Sequence, residues 1–198
     1  MQSKLKRFFD AVCSGIGLIC LSPVFIFLSI WIKLDSRGPV FYRQVRVGRD
    51  NKDFRLFKFR SMRPDSDKLG LITVGGHDPR VTRSGYYIRK YKLDELPQLI
   101  NVFIGDMSLV GPRPEVRKYV NLYSKEQQRI LTVKPGITSL ASIRYSNENE
   151  ILAGAADPDK CYVEVVMPDK LRIDLEYIDN PSLLKDVGII LKTILKIL

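Results

Sequence analysis

The adjacent carboxylates Asp94 and Glu95 are the residues of this chain best suited to do chemistry. An ionised Asp can attack phosphorus as a nucleophile, while a neighbouring Glu can hold a divalent cation that neutralises phosphate charge. The absence of a GxxxxGK[ST] loop excludes a P-loop, and a single histidine argues against a Ser/His/Asp triad and a histidine-rich zinc site. The alternative for the pair is structural, because Asp is a preferred helix N-cap and Glu suits a first turn.

Basic residues near this pair in the sequence fit phosphate chemistry. Arg89 shortly precedes it, and the prolines of the motif GPRP are expected to stiffen a turn that presents Arg113, whose guanidinium matches phosphate oxygens in a two-point contact. In the motif FKFR, alternation places Lys58 and Arg60 on one face of a strand. Together with the carboxylates, this set favours phosphate and a hard cation such as Mg²⁺. Each basic residue can instead belong to a solvated turn or strand face.

The positive charge of the chain lies in its first third. The net charge is +10, yet residues 1–63 hold 13 Lys/Arg against 4 Asp/Glu, and the remainder holds 19 against 18. These basic residues flank an apolar run, a layout that favours anionic lipid headgroups. Nucleic acid is the weaker alternative, and it would be bound through Arg43, Arg46 and Arg49. The three cysteines form neither a CxxC motif nor an even-numbered disulfide framework, which favours a reduced compartment.

The uncharged segment 11–32 is expected to hold the protein at a membrane. As one helix it would be about 33 Å long, enough to cross a hydrocarbon core of roughly 30 Å. Ser22 and Pro23 lie at its centre, however, and basic residues follow it as well as precede it. These features predict a re-entrant pair of half-helices, with Ser22-Pro23 as the hinge and both ends in the cytoplasm. A kinked spanning helix stays open as the alternative.

The remaining patterns predict a helix-rich, mixed α/β protein. We expect a membrane-associated part, 1–36, and a cytosolic-face catalytic domain, 37–198. The predicted elements are a hairpin of strands 40–47 and 54–59, a loop 62–85 with a solvent-exposed His77, a helix 93–103 that starts near Asp94 because Pro97 is tolerated only in a first turn, and a helix 115–132. The C-terminal segment 183–198 is amphipathic, so it either lies at the membrane interface or packs on the domain.

Residues 78–115, DPRVTRSGYYIRKYKLDELPQLINVFIGDMSLVGPRPE, resemble the signature of the bacterial sugar transferase family, the monotopic phosphoglycosyl transferases. Five further motifs support the resemblance: KRFFD at 6–10, SP at 22–23, GPVF at 38–41, FKFRSM at 57–62 and KPGIT at 134–138. The matches occur in order along most of the chain, so a chance resemblance is excluded.

The resemblance implies a two-step transfer. Asp94 would attack the β-phosphate of a UDP-sugar, expel UMP and carry a covalent phosphosugar, which polyprenol (undecaprenyl) phosphate would then accept. Glu95, together with Asp94, would bind Mg²⁺. The enzyme would act at the cytoplasmic face of the bacterial inner membrane, without crossing it, and would initiate a glycan or glycoconjugate pathway.

The resemblance also assigns the residues around the carboxylates. Lys58, Arg89 and Arg113 correspond to basic positions near the phosphates, and we place Arg60 with them. Asp174 matches a late acidic position before a tyrosine. The segment after Thr138 departs from the usual family pattern, and we assign Arg144 within it to the uridine or sugar side.

A second hypothesis comes from a different class of protein. In it the chain is a noncatalytic, membrane-tethered scaffold or phosphate-binding module, and Asp94-Glu95 is only a helix cap.

Overall fold

The computed structural model describes residues 4–64, 66 and 78–197, so His77 and its predicted exposure lie outside the described residues. The expected helix-rich, mixed α/β fold is confirmed. The elements are α1 (Lys4–Cys20), α2 (Ser22–Asp35), β1 (Phe41–Val47), β2 (Asp53–Phe59), α3 (Arg83–Lys90), a 3₁₀ turn (Leu93–Glu95), α4 (Gln98–Ile104), β3 (Ser108–Val110), α5 (Arg117–Val120), a 3₁₀ helix (Gln127–Thr132), β4 (Gly136–Thr138), α6 (Leu140–Arg144), α7 (Glu148–Ala153), α8 (Pro158–Cys161), a π-helical turn (Tyr162–Val166), α9 (Met167–Asp179) and α10 (Leu183–Ile197).

The apolar N-terminal segment forms two helices, and the break falls where the sequence predicts it. Helices α1 and α2 are bent by 60°. Pro23 lies in the first turn of α2, where its missing N–H costs nothing, and the Ser22 hydroxyl donates to the Ile19 carbonyl oxygen (2.8 Å) at the end of α1. Among the described residues no single helix is long and apolar enough to cross a bilayer, but the bent pair together meets that test by length and composition.

Both ends of the bent pair contact the rest of the chain. Near the start of α1, Lys6 forms a buried ion pair with Asp186 of α10, and Arg7 donates to the carbonyl oxygen of Val102 (2.6 Å) at the end of α4. At the end of α2, Asp35 accepts hydrogen bonds from the backbone N–H (2.9 Å) and the hydroxyl (2.8 Å) of Ser84. The KRFFD motif therefore packs α1 against the domain, and α2 fixes the start of α3.

The predicted hairpin is confirmed. Strands β1 and β2 are antiparallel, with Phe41 opposite Phe59 and Val47 opposite Asp53. Helix α4 is tied to β2 by Asn101, whose side chain accepts from the Phe57 N–H and donates to the Arg55 carbonyl oxygen, both at 2.9 Å. Because Asn101 is fully buried, this contact fixes the register of α4 against the strand.

The predicted helix 93–103 is wrong in its first half. Leu93–Glu95 forms a 3₁₀ turn and α4 begins only at Gln98. Pro97 has no N–H to donate to Leu93, so the chain passes through i to i+3 bonds, from Leu96 N–H to Leu93 (3.2 Å) and from Ile100 N–H to Pro97 (3.0 Å). Asp94 therefore lies one turn ahead of the α-helix rather than at its N-terminus.

The predicted helix 115–132 is also wrong. Only α5 and the 3₁₀ helix form, because Ser124 and Gln127 start a new turn between them: the Ser124 N–H donates to the Gln127 side chain (2.8 Å), and the Gln127 N–H donates to the Ser124 hydroxyl (3.2 Å). The predicted end of the loop 62–85 is also wrong, because α3 already begins at Arg83, where Thr82 caps it by accepting from the Gly85 N–H.

The C-terminal helix α10 is amphipathic, and its expected packing on the domain is present on one face. One face packs on the domain through Asp186 and Ile189, which are buried. The other face exposes large apolar side chains, at Leu184, Val187, Leu191, Ile194 and Leu195.

Candidate active site

A cavity of about 530 Å³ brings most of the predicted site residues together. It is lined by side chains from β1, β2, α3, the 3₁₀ turn and the segment before α5, and α7, the π-helical turn and α9 close its far end. The predicted residues on its wall are Lys58, Arg60, Arg89, Asp94 and Arg113. A concave site on which several cationic side chains converge is suited to a ligand that carries several phosphates.

Glu95 is the most tightly paired carboxylate of the site. Arg113 donates to both of its oxygens, with Nη1 to Oε2 at 3.2 Å and Nη2 to Oε1, and Lys58 Nζ lies 3.4 Å from Oε1. Burial alone would raise the pKa of Glu95, but the charges of Arg113 and Lys58 hold it well below its ordinary value. Glu95 is therefore ionised throughout the physiological range.

Asp94 differs from its neighbour in its contacts. No described residue donates a hydrogen bond to its carboxylate, which lies on the cavity wall. Burial raises the pKa of Asp94, and the negative charge of Glu95 adds to that effect, while Lys58, Arg89 and Arg113 oppose it. A carboxylate that accepts no hydrogen bond and lies among cationic side chains is the arrangement expected of a nucleophile.

The expected helix-capping role of this carboxylate pair is not present. Pro97 occupies the N-cap of α4, and no side chain caps that helix. The structural reason offered for Asp94 and Glu95 in the noncatalytic hypothesis is therefore wrong.

Lys58 reaches the pair from the strand β2. Its position is set by the Asn101 contacts, which hold the backbone of Phe57 against α4. Burial lowers the pKa of Lys58, and the Glu95 charge opposes that effect. Sequence reasoning missed Asn101, although a polar residue inside the apolar stripe 93–103 was the available signal.

The turn that presents Arg113 is held by close backbone contacts. In the parallel β3–β4 pair the Gly111 N–H donates to Thr138 (3.1 Å) and the Gly136 N–H donates to Pro112 (2.9 Å). A Cβ on Gly136 would lie 2.1 Å from the Gly111 nitrogen, so only glycine allows this approach. The motifs GPRP and KPGIT thus pack against each other, and their backbone contacts position Arg113.

Asp174 supports this turn from α9. Burial raises its pKa to about 7, although hydrogen bonds from the Ser139 hydroxyl and the backbone N–H groups of Ala141 and Arg113 oppose the rise. The residue does not line the cavity, so the structure makes it a support of Arg113 rather than a wall of the site.

The other predicted residues differ in whether they lie on the cavity wall and in what they contact. Arg89 lines the cavity from α3. Arg60 also lines it, but its guanidinium donates to the carbonyl oxygens of Arg37 (2.6 Å) and Ser36 (2.7 Å), which makes it a cap for the end of α2. Arg144 lies outside the cavity wall, largely exposed, with Nε 3.6 Å from Asp169.

The far end of the cavity contains residues that the sequence did not single out. Lys170 of α9 is buried, donates to Glu148 of α7 (2.7 Å) and lies over the Tyr162 ring at 5.5 Å. A salt bridge beside an aromatic ring can recognise hydroxyl groups and a planar base. These residues follow the point where the chain departs from the family pattern, which is why no motif marked them.

Asp94 and Glu95 suit a magnesium site in which substrate phosphates would supply the remaining ligands. The described residues contain no group of three or more His, Cys, Asp or Glu side chains that would form a closed metal site. Mg²⁺ commonly uses one or two carboxylates and keeps phosphate oxygens and water as its other ligands, and Asp94 and Glu95 can supply that number.

The basic residues of the nucleic-acid hypothesis are engaged within the protein. Arg46 donates to the Gln44 side chain (2.8 Å) and to the Pro114 carbonyl oxygen (3.1 Å), and Arg43 lies over the Phe57 ring at 4.9 Å. Arg49 contacts its neighbour Asp50 at 3.2 Å. Arg46 therefore supports the segment that leads to α5, whereas Arg43 and Arg49 are exposed on the hairpin.

Comparison with known proteins identifies several relatives. The chain is 41% identical over 197 residues to the UDP-N-acetylgalactosamine-undecaprenyl-phosphate N-acetylgalactosaminephosphotransferase of Aeromonas hydrophila. It is 38% identical over 203 residues to the exopolysaccharide production protein PSS of Rhizobium leguminosarum bv. phaseoli. It is 37% identical over 196 residues to the UDP-glucose:undecaprenyl-phosphate glucose-1-phosphate transferase of Escherichia coli (strain K12).

These matches cover nearly all of the chain but different shares of the relatives. They include 98%, 98% and 97% of this chain, and they span 44% of the Aeromonas protein, 95% of the Rhizobium protein and 40% of the Escherichia protein. The family model described as "Bacterial sugar transferase" matches residues 1–198. The chain therefore belongs to the bacterial sugar transferase family, as its motifs predicted.

Proposed function

We propose that this protein transfers a sugar 1-phosphate from a UDP-sugar to undecaprenyl phosphate and so initiates synthesis of a bacterial polysaccharide. The names of the Aeromonas and Escherichia relatives give this donor and acceptor chemistry for those proteins. The name of the Rhizobium relative gives exopolysaccharide production. The observation that carries the proposal is the placement of Asp94, accepting no hydrogen bond from a described residue, on the same cavity wall as Lys58, Arg89 and Arg113.

In the first step an Asp94 oxygen attacks the β-phosphorus of the UDP-sugar. The bond from that phosphorus to the bridging oxygen breaks, and UMP leaves with the electron pair. Lys58, Arg89 and Arg113 stabilise the negative charge that develops on the phosphate oxygens. The product of this step is a phosphosugar bound covalently to Asp94.

In the second step an oxygen of the acceptor phosphate attacks the same phosphorus. The Asp94 carboxylate leaves, and the sugar is released on a polyprenol diphosphate. Because one carboxylate serves as nucleophile and then as leaving group, the two substrates react in sequence at a single phosphorus.

Glu95 and Asp94 would hold Mg²⁺ in this scheme. The ion, when bound, would neutralise phosphate charge and polarise phosphorus towards attack. The contacts of Glu95 with Arg113 and Lys58 keep its carboxylate ionised and oriented before any ion binds.

We further propose that α1 and α2 enter the cytoplasmic face of the inner membrane and return to it. Their bend and composition support this placement. So do the contacts at both ends, Lys6 with Asp186 and Asp35 with Ser84, because both ends of the pair meet the same domain. The exposed apolar face of α10 would then lie at the membrane interface.

Release of UMP from a panel of UDP-sugars tests the proposed reaction. The purified protein, with Mg²⁺ and undecaprenyl phosphate, should release UMP from at least one donor, and Asp94→Asn should lower the rate at least about 1,000-fold because the nucleophile is lost. Asp179→Asn is the matched control, since Asp179 is a surface carboxylate paired with Arg129. Folded protein that releases no UMP from any UDP-sugar would contradict the proposal.

A further inference from the structure

The active-site cavity is elongated, and strand β1 runs along its length. Tyr42, Gln44 and Arg46 alternate along this strand and all line the cavity, so they span roughly 13 Å of its wall. Tyr42 lies opposite Lys58 of β2, whereas Arg46 lies 3.5 Å from Glu115, in the segment before α5. The cavity therefore has two distinct ends.

The end of the cavity near Tyr42 is rich in arginine. The Arg60 N–H donates to the Val40 carbonyl oxygen (2.8 Å), which places the next segment of the wall beside the start of β1. In that segment the Arg63 N–H donates to the Arg80 carbonyl oxygen (2.9 Å), and both residues line the cavity. This arginine end, defined by Arg60, Arg63 and Arg80, suits the phosphate of a nucleotide.

The far end of the cavity carries two carboxylates instead, those of Glu115 and Glu148. Lys170 and the Tyr162 ring line the same end. Burial raises the pKa of the Tyr162 phenol, and the charges of Glu115 and Glu148 add to that rise. Both carboxylates therefore lie near the Tyr162 ring, and together they define the carboxylate end of the cavity.

The carboxylate end begins next to Arg113. The Glu95 charge raises the pKa of Arg113 against the effect of burial. The charges of Glu148 and Glu115 add to this rise, so both lie within electrostatic range of Arg113. Asp94 also lies within range of the Arg113 charge. A phosphorus attacked by Asp94 is thus beside Arg113, and the carboxylate end lies just beyond it.

These positions orient a UDP-sugar in the cavity. In an in-line attack the leaving UMP lies opposite the Asp94 oxygen, so the sugar branches to the side of the phosphorus. The α-phosphate of UMP is attracted to the arginine end, and Glu115 and Glu148 repel it from the carboxylate end. The sugar is uncharged, and carboxylates are strong acceptors for its hydroxyl groups. The sugar therefore fits the carboxylate end.

Glu148 is the carboxylate of this end that is open to a ligand. Its Oε2 atom accepts from Lys170 Nζ (2.7 Å), and no described residue donates a hydrogen bond to Oε1. The side chain of Lys170 is only 10% exposed, so the ion pair fixes Glu148 from the interior. Glu115 is more engaged, since it pairs with Arg46 and accepts from the Val116 N–H (3.3 Å).

We propose that Glu148, held by Lys170, accepts a hydrogen bond from one hydroxyl group of the donor sugar and thereby selects which UDP-sugar is used. The Lys170 ammonium has further N–H donors and binds the neighbouring sugar oxygen, so the pair recognises two adjacent oxygens. The inference rests on the proposed function and adds to it the orientation of the donor. The sugar lies at the carboxylate end, and UMP lies towards the arginine end.

Deoxy analogues of the accepted UDP-sugar test this contact. UMP release gives kcat/KM for the accepted donor and for analogues that each lack one hydroxyl, and calorimetry gives the Kd for UMP. Glu148→Gln keeps the side-chain size and removes the charge, whereas Glu148→Asp keeps a charge for Lys170 and withdraws it by one methylene. Glu150→Gln is the matched control, since Glu150 is an exposed carboxylate of α7 outside the cavity wall.

Glu148→Gln should lower kcat/KM for the accepted donor about 10- to 100-fold, the usual effect of losing one charged hydrogen bond. With the one analogue that lacks the contacted hydroxyl, the same substitution should cost less than about threefold, because the partner is already absent. Glu148→Asp should show the same pattern with smaller losses. The Kd for UMP should stay unchanged in both variants, and Glu150→Gln should change neither quantity.

Equal losses with the accepted donor and with every deoxy analogue, or no loss in either Glu148 variant, would overturn the sugar contact. A Kd for UMP that rises as much as kcat/KM falls would also overturn it, since the nucleotide would then occupy the carboxylate end. In these cases UMP release by the unchanged protein leaves the transferase proposal standing. Absence of UMP release from every UDP-sugar would instead contradict the proposed function itself.

Discussion

Arg113 contacts both oxygens of the Glu95 carboxylate, and the neighbouring Asp94 carboxylate accepts no hydrogen bond from a described residue. Two adjacent acidic residues therefore have different environments. Glu95 has its charge balanced by Arg113 and Lys58, whereas Asp94 lies on the wall of the active-site cavity. This difference supports the proposal that Asp94 acts as the nucleophile while Glu95 orders the cations around it.

The two-point contact of Arg113 should matter more than its charge. Arg113→Lys keeps the charge but loses the planar fork, so we expect kcat to fall about 100-fold with little change in thermal stability. Steady-state UMP release and a melting curve measure the two quantities. Arg117→Lys is the control, because Arg117 forms an exposed ion pair with Asp53. Equal activity of the two variants would show that the fork has no role.

The buried carboxyl of Asp174 should make stability depend on pH. Its pKa is raised to about 7 in the folded protein, so the folded state holds a proton that the unfolded state releases near pH 4. Stability from this group is present below pH 4 and is lost as the pH rises through 7.

Asp174→Asn removes that dependence. The melting temperature of the variant relative to that of the unchanged protein, measured from pH 5 to 8.5, should rise up to about pH 7 and then level off, with a total gain equivalent to about 3 kcal/mol. A difference between the two proteins that does not vary with pH would contradict the raised pKa.

Asn101 should be a strong determinant of stability. Asn101→Ala leaves the Phe57 N–H and the Arg55 carbonyl oxygen without their partner, and we expect the free energy of unfolding to fall by about 2–4 kcal/mol. Denaturant unfolding measures this loss. Asn121→Ala serves as the control, since Asn121 is exposed at the end of α5. Similar losses of unfolding free energy in both variants would show that the contact of Asn101 with β2 stabilises the fold no more than an exposed side chain does.

The bent helix pair should leave both chain ends on the cytoplasmic side. Because Lys6 and Asp35 both contact the domain, reporters fused at residue 1 and at the C-terminus are expected to be cytoplasmic. Accessibility to a membrane-impermeant label in intact cells and in lysed cells measures this. A periplasmic residue 1 with a cytoplasmic C-terminus would contradict the re-entrant arrangement.

The sequence predicted the features that depend on local pattern. The hairpin follows from alternation in β1 and β2, and the break at Ser22-Pro23 follows from the missing proline N–H. The grouping of Lys58, Arg89, Asp94 and Arg113 came from motifs that resemble the family. Charge and residue type were enough to predict phosphate as the ligand chemistry.

Two local features were missed because apolar spacing alone was used to place the helices. The splitting of the helix 115–132 results from a reciprocal hydrogen bond of Ser124 and Gln127, and the turn at Leu93–Glu95 results from a single proline. Features that depend on distant contacts were not predictable from local pattern. The interior contacts of Arg60 and Lys170 required the positions of helices far away in the chain. No periodicity in the sequence predicts such contacts, because each one joins elements that are separate in the chain.

The covalent intermediate on Asp94 is the central claim, and intact-protein mass measurement tests it most directly. After incubation with Mg²⁺ and the UDP-sugar that releases UMP, without acceptor, the protein should gain the mass of one phosphosugar. Undecaprenyl phosphate should then remove that mass, and Asp94→Asn should never acquire it. UMP release without any added mass, or the same added mass on Asp94→Asn, would contradict Asp94 as the nucleophile.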